Sequence, residues 1–301
     1  MLLSQFIKDG TAALEGLYPT AEARTIVLIL CEHILGTKNY THIVEPSYEI
    51  AQSKEAPLTA ALERLKGGEP IQYVTGHVEF CGHDFKVNKG VLIPRPETEL
   101  LCRTAIEIGN RIRRMRIPYG KKAEPVRILD LCTGSGCIAW TVALAIPGAT
   151  VVGVDISEEA LSVARSQDFT QKIKEAEDAK APLFVKADVL DTEQDFGYGP
   201  FDLVLSNPPY IMDKEKPLLR KNVLDYEPSS ALFVPDDDPL VFYRAIARWS
   251  ERLLTHEGMG LTEINEVLGP QTEGLFKESG FPSTEMIKDF YDKNRFVIYK
   301  R

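Results

Sequence analysis

Residues Phe201-Asp202-Leu203-Val204-Leu205-Ser206 form an apolar run that is closed by two consecutive prolines, Pro208 and Pro209. Proline has no amide hydrogen and a fixed φ, so a strand cannot continue through the pair and the chain must turn rigidly. The run therefore reads as a buried parallel strand whose carboxyl end is Asn207, the place where open α/β sheets bind ligands. A carboxamide, outward-pointing proline carbonyls and the ring of Tyr210 suit a planar amide or amine. Carbonyl oxygens accept from an NH2 group, and an aromatic ring stacks on its plane. An ordinary proline-rich turn after a strand accounts for the tetrapeptide alone about equally well, so the surrounding chain has to decide.

That chain alternates strand and helix from Val126 onward. Strands are expected at Val126–Leu131, Thr150–Val154, Leu183–Ala187, Phe201–Ser206 and Met259–Ile264. Helices are expected to begin near Ser135, Ser157 and Asp238-Pro239, the last two with N-cap chemistry. Two further strands, Glu285–Asp289 and Arg295–Tyr299, follow with no helix between them. The pattern predicts an α/β fold with a mostly parallel sheet and a terminal antiparallel hairpin.

Ahead of it, residues up to about 68 read as all-helical. Ala21, Ile26, Val27, Ile29, Leu30 and Ile34 form an apolar stripe that Gly36 stops, and a helix from Pro57 to Lys66 ends at Gly67-Gly68. Tyr73 to Val87 reads as a β-hairpin joining two domains, which gives a helical domain at 1–69, a hairpin linker at 70–90 and the α/β domain at 91–301.

A formal net charge of −9 does not favour nucleic acid as a partner, since its binders usually carry a basic surplus. The exception is local: Arg111, Arg113, Arg114, Arg116, Lys121, Lys122 and Arg127 stand against Glu124 alone. A solvated helix and loop explains that segment more simply than a binding patch. The mixed segment Gln171–Lys180 reads as a solvated helix end, and residues 103–125 and 168–182 read as surface insertions. No apolar run approaches the ~20 residues that span a bilayer, and the amino terminus lacks a secretory or organelle-targeting pattern. The five cysteines, Cys31, Cys81, Cys102, Cys132 and Cys137, are scattered without metal spacing, as are the histidines. Reduced thiols in a cytoplasmic, metal-free protein are expected.

Asp130-Leu131-Cys132-Thr133-Gly134-Ser135-Gly136 follows the first strand of the α/β series and opens a helix over Cys137–Ile146. Glycines at Gly134 and Gly136 let the backbone approach a ligand and turn without Cβ clashes. Asp155, ending the next strand, can accept from both hydroxyls of an unphosphorylated ribose, beyond mere helix capping. Asp188 repeats the device at the third strand, where it could meet an adenine amino group with Val189 beside it, or simply turn the chain. The spacing lacks the GxGxxG of a nicotinamide site, and no phosphate-binding lysine follows. An acid four residues before the first glycine suits the amino-acid head of S-adenosylmethionine rather than a pyrophosphate.

The Asn207-Pro208-Pro209-Tyr210 pattern resembles the signature of methyltransferases that act on planar nitrogens, either glutamine amides or the exocyclic amine of adenine. Further blocks make the resemblance specific. Pro70-Ile71-Gln72-Tyr73-Val74-Thr75-Gly76 through Phe85-Lys86-Val87, Val91-Leu92-Ile93-Pro94-Arg95-Pro96-Glu97-Thr98-Glu99, and Tyr226-Glu227-Pro228 with Ala231-Leu232 are similar to the peptide chain release factor glutamine methyltransferase (PrmC/HemK) family over essentially the whole chain. DNA adenine methyltransferases share the Asn-Pro-Pro-Tyr element but not these flanking blocks. One departure is Cys132, which stands where the family usually has its first glycine, so a Cβ would crowd the cofactor or strain a positive φ.

The resemblance implies a class I, Rossmann-like S-adenosylmethionine-dependent methyltransferase. S-adenosylhomocysteine would be its second product, and Asp130, Cys132, Thr133, Gly134, Ser135, Gly136, Asp155, Asp188, Val189 and Asn207 would form its cofactor site. Asn207 and Pro208 would accept both hydrogens of a glutamine amide and Tyr210 would pack on its plane. Pro209 would complete the substrate site, and Glu97 and Thr98 would shape the pocket. The implied partner is a translation release factor, methylated in its Gly-Gly-Gln loop and gripped by the helical domain of a monomer. An adenine-specific nucleic-acid methyltransferase is the alternative and needs residues 111–127 as its groove. A cofactor-binding protein without turnover is a further rival, motivated only by Cys132.

Overall fold

The computed structural model describes residues 1–116, 124–195, 197–289 and 291–301. They form two compact units. The first comprises Met1–His77 together with Leu219–Tyr226, and the second comprises Val78–Leu218 and Glu227–Arg301.

In the first unit, α1 (Leu3–Leu14), α2 (Thr20–Leu35), α3 (Thr41–Val44), α4 (Gln52–Lys66) and α5 (Ile71–Thr75) enclose their own core. Leu3, Phe6, Ile7 and Leu14 of α1 meet Val27 and Leu30 of α2 and Leu58 and Leu65 of α4 there. Gly36 ends α2 in the left-handed conformation at φ 70°, where glycine carries no Cβ penalty. Helix α4 starts at Gln52 rather than at the expected Pro57, because a proline near the amino end already has a helical φ and forfeits only one hydrogen bond. Leu219–Tyr226 is distant in sequence but is tied into this unit. Tyr226 donates to the Gly67 carbonyl at 2.8 Å, and Arg220 pairs with Glu22 at 2.6 Å.

The expected hairpin over Tyr73–Val87 is corrected at its start. Tyr73 and Val74 lie on α5, which Gly76 terminates at φ 79°, so their aromatic and β-branched content yields to burial of Ile71 and Tyr73 on a helical turn. The hairpin itself is β1 (His77–Phe80) and β2 (His83–Lys86), and its Phe80 and Phe85 enter the core of the second unit. The segment read as a linker at 70–90 is thus divided between the two units.

The second unit continues with α6 (Thr98–Met115), β3 (Arg127–Leu131), α7 (Cys137–Ala145), β4 (Thr150–Asp155), α8 (Glu158–Arg165), α9 (Thr170–Glu175), β5 (Leu183–Lys186), β6 (Phe201–Ser206) and β7 (Ile211–Met212). After α10 (Lys221–Leu224), which belongs to the first unit, come β8 (Phe233–Val234), α11 (Val241–Leu253), β9 (Leu254–Glu263), α12 (Gly269–Glu278), β10 (Ser283–Lys288) and β11 (Asn294–Lys300). The main sheet has the order β10-β11-β9-β6-β3-β4-β5. Strands β5, β4, β3, β6 and β9 pair in parallel, and β11 runs antiparallel between β9 and β10. This is the mostly parallel sheet with a terminal antiparallel hairpin that the sequence pattern predicts.

Both faces of the sheet are covered, so its central strands are buried over nearly their whole length. All six residues of β6 are buried, Asp202 among them. Asp202 is held by Arg116 at 2.5 and 2.7 Å and by the Arg127 amide at 2.9 Å. The reading of 103–125 and 168–182 as surface insertions does not hold for their described buried residues. Ala105 and Ile108 of α6 lie in the core, and Phe169 packs edge-on against Phe85 and Trp140 at 5.0 and 5.1 Å. The arginines of α6 mask an amphipathic helix. Asp238 likewise does not cap α11: its carboxylate pairs with Arg244, and Leu240 occupies the cap position without a side-chain bond. Among the described residues no helix is long and apolar enough to cross a membrane, and no cluster of metal-ligating side chains occurs.

Candidate active site

The chain runs β3, β4, β5 toward one edge of the sheet and then returns to place β6 and β9 on the other side of β3. Such a reversal opens a crevice at the carboxyl ends of the strands. Register fixes what stands there. Leu131 is opposite Val154 and Ser206, and Ser206 is opposite Thr262. The next residue on each strand, Cys132, Asp155, Asn207 and Glu263, therefore lies in one row along the carboxyl edge.

The turn after β3 is held from two sides. Beneath it, Asp130 Oδ2 accepts from Thr133 Oγ1 at 2.6 Å and from the Ala139 amide at 3.2 Å. Asp130 is fully buried, its Oδ1 has no hydrogen-bond partner among the described residues, and burial pushes its carboxyl up to about 7 against the two bonds. Above it, Asp155 Oδ2 accepts from the Gly134 amide at 2.9 Å and Oδ1 from the Ser157 amide at 2.9 Å. Burial raises the Asp155 carboxyl as well, and these backbone bonds oppose the shift. Ser157, not Asp155, caps α8, its hydroxyl accepting from the Ala160 amide at 3.1 Å. Gly136 and Gly153 are required by packing. A Cβ on Gly136 would stand 2.9 Å from the Phe184 ring, and one on Gly153 would stand 2.7 Å from Thr133 Oγ1. Gly134, at φ 54°, has nothing within 4 Å of where its Cβ would stand. Cys132 adopts φ 62° and is a rare non-glycine residue in the left-handed region, as its place in the turn predicts.

A cavity of about 370 Å³ opens over this turn. Cys132, Thr133, Gly134 and Ser135 line it with Asp155, Ile156 and Ser157 after β4, Asp188, Val189 and Leu190 after β5, and Asn207 and Pro209 after β6. Gly90, Val91, Leu92, Pro94 and Thr98 form another wall, and Pro228, Ala231 and Phe242 close it. Val189 is anchored through its carbonyl by the Trp249 indole at 2.8 Å, and Asp188 Oδ1 turns the chain by accepting from the Leu190 amide at 2.8 Å.

On the β6 side, Asn207 Nδ2 donates to Thr98 Oγ1 at 3.1 Å, and Thr98 donates to Glu263 Oε2 at 2.7 Å. Tyr210 donates to Glu263 Oε1 at 3.0 Å. Glu263 is 4% exposed. Burial raises its carboxyl and Glu97 adds to the shift, while the Thr98 and Tyr210 bonds and Arg295 lower it. Burial, followed by the charge and hydrogen bond of Glu263, raises the Tyr210 phenol well above its ordinary value, so Tyr210 stays neutral.

The structure brings together Cys132, Thr133, Gly134, Ser135, Asp155, Asp188, Val189, Asn207 and Pro209 around one cavity. Gly136 and Asp130 support the turn from below. Pro208 is buried and, with Tyr210, is not among the cavity-lining residues. Thr98 lines the cavity, whereas Glu97 does not. Sequence reasoning missed Glu263 and Phe242. An acid ending the apolar strand segment Gly260-Leu261-Thr262 was the available signal for Glu263; Phe242 on α11 offered none.

A seven-stranded sheet of this order, with a glycine turn after β3, carboxylates ending the next two parallel strands and an apolar-walled cavity over them, defines a class I S-adenosylmethionine-dependent methyltransferase. The residues fit that cofactor. The Asp155 and Asp188 carboxylates line the cavity where a ribose and an adenine amine would need acceptors, Gly134 leaves open space above the turn, and Ile156, Val189 and Leu190 offer apolar surface of the kind a base would need. Residues 122–273 match the methyltransferase-domain family, and residues 5–76 match the PrmC N-terminal domain family. A release factor glutamine methyltransferase from Bacteroides thetaiotaomicron is 36% identical over 289 residues, covering 96% of each chain. One from Flavobacterium psychrophilum is 34% identical over 297 residues, covering 99% of this chain and 98% of that one. The chain belongs to the release factor glutamine methyltransferase family. Among solved structures, the hMettl16 catalytic domain shares the fold, with a TM-score of 0.50 at 12% identity over 87% of this chain and 91% of that one.

Proposed function

We propose that the chain methylates the side-chain amide nitrogen of the glutamine in the Gly-Gly-Gln loop of a translation release factor. The observation that carries this reading is Asn207, held by Thr98 at the carboxyl end of β6 in the same cavity as the Asp155–Gly134 turn. S-adenosylmethionine supplies, when bound, an electrophilic methyl group on a sulfonium. Asp155 and Asp188 would hold the cofactor's nucleoside end and the turn Cys132–Gly136 its amino-acid end.

An amide nitrogen is a poor nucleophile because its lone pair is delocalised into the carbonyl. Asn207 Oδ1 and the Pro208 carbonyl accept the two amide hydrogens, aim the nitrogen and stabilise the positive charge that develops on it. Positioning supplies the rest: the nitrogen–methyl bond forms as the methyl–sulfur bond breaks, and the thioether S-adenosylhomocysteine leaves. The nitrogen then gives up its surplus proton to water, so no side chain has to remove it beforehand. Tyr210 is fixed by Glu263 and packs beside the amide plane.

The N-terminal unit grips the protein substrate, and its exposed Tyr40, Ile43 and Val44 are the candidates for contact. The enzyme acts as a monomer and in the cytoplasm, the second in keeping with its five free cysteines. Nucleic acid is not proposed as the acceptor. In the basic segment Arg113 pairs with Glu177 and Arg116 with Asp202, and Lys121 and Lys122 lie outside the described residues. The test is transfer of labelled methyl from S-adenosylmethionine to an intact release factor, its Gln→Ala loop variant and duplex DNA. Label on the wild-type factor alone is expected, and label on DNA alone would overturn the reading.

A further inference from the structure

The Asn207 carboxamide can serve a substrate NH2 group only if its oxygen, not its nitrogen, faces that group. Its two ends differ by one atom, and nothing in an isolated asparagine selects between them. The surroundings of Asn207 do select. A threonine hydroxyl has a single hydrogen, and that of Thr98 is committed to Glu263 Oε2 at 2.7 Å. Toward Asn207 it can therefore only accept, which requires the group 3.1 Å away to be Nδ2.

Glu263 in turn is buried and, as a carboxylate, can only accept, which it does from Thr98 on one oxygen and from Tyr210 on the other. Register makes this possible: Thr262 lies opposite Ser206, so the residue after each strand position, Glu263 and Asn207, share the carboxyl edge with Thr98 between them.

We propose that Thr98, polarised by Glu263, is a positioning residue that sets which end of the Asn207 amide faces the substrate. Reversal of that amide would point an N–H at the substrate's own N–H2, so one acceptor would be replaced by a donor. The inference rests on the reading of Asn207 as an acceptor for an amide, but the orientation itself is a property of the protein alone.

Two variants separate positioning from packing. Thr98→Val keeps the shape and both branches but removes the hydroxyl, whereas Thr98→Ser keeps the hydroxyl and loses a methyl. Positioning predicts that T98V lowers kcat on a release factor at least roughly tenfold. KM and cofactor Kd should stay within about threefold, and T98S should stay near wild type. Packing predicts the reverse order, and that order would overturn the proposal.

A second measurement needs no turnover. The Asn207 side-chain NH2 resonances in a ¹⁵N-labelled sample are assigned by their loss in Asn207→Asp. They should shift in T98V and hold in T98S. Unmoved resonances in T98V would overturn the proposal, even if the wild-type chain proved inactive on release factors and the functional reading itself failed.

Discussion

Asp155 Oδ2 accepts the Gly134 amide hydrogen at 2.9 Å, so the acid that ends β4 and the glycine turn that follows β3 are one construction. Asp155→Ala removes a charged acceptor from two backbone amides and from the proposed ribose contact. Hydrogen bonds to charged groups are worth about 1.5–3 kcal/mol each, so S-adenosylmethionine binding should weaken roughly 10- to 100-fold. Titration calorimetry checks this, with circular dichroism to confirm the fold. An unchanged Kd would remove Asp155 from the cofactor site.

Asn207→Ala makes the complementary prediction. Its side chain lines the cavity and is proposed to act on the acceptor, so methyl transfer should fall by at least roughly 10²-fold. Cofactor Kd, measured on the same sample, should stay within about threefold, since the proposed role is on the acceptor. Comparable loss of both quantities contradicts that role.

Cys132 tests the cost of a departure from the family pattern. Its φ of 62° carries a penalty of about 1–2 kcal/mol that glycine would relieve. Glycine in turn costs roughly 0.4–1 kcal/mol through the freer unfolded chain. The difference favours glycine by about 0–1.6 kcal/mol, so Cys132→Gly should leave the unfolding free energy unchanged or raise it by up to about 1.6 kcal/mol. Cofactor affinity should move less than about threefold, and a gain of tenfold or more would mean that the Cβ crowds the ligand.

The buried Asp130 carboxyl predicts a pH dependence. Its folded pKa is raised, by burial first, from 3.8 to about 7. The folded state therefore holds this proton more tightly than the unfolded state does. The stability contribution is complete below pH 3.8 and is lost as pH rises through about 7. Urea denaturation of the cofactor-free protein between pH 5 and pH 8 should show a decline that Asp130→Asn flattens. An identical slope in the variant would contradict the assignment.

Much of this was legible in the chain. Gly134 and Gly136 mark the turn after β3, Asp155 and Asp188 mark the ends of the following strands, and the proline pair marks the end of β6, all because backbone constraints act within a few residues. What was not legible depends on register across long separations. Leu203 pairs with Met259 but Phe201 pairs with Leu254, so an irregularity inside β9 decides that Glu263 rather than a neighbour stands beside Asn207. No local pattern carries that offset. Pro208 and Tyr210 show the opposite limit: the motif named them, yet burial and the Glu263 bond, not the motif, set where the Tyr210 hydroxyl points. Tyr73 and Val74 mislead for the same reason, being strand-forming residues placed on a helical turn by the packing of α5.

The central claim is the acceptor atom. Peptide mass spectrometry of an intact release factor, after incubation with this protein and S-adenosylmethionine, reads it directly. A single added methyl on the side-chain amide of the Gly-Gly-Gln glutamine, absent with Asn207→Ala, is the result expected. Methylation at any other residue, or an unmodified glutamine beside consumed cofactor, would contradict the account.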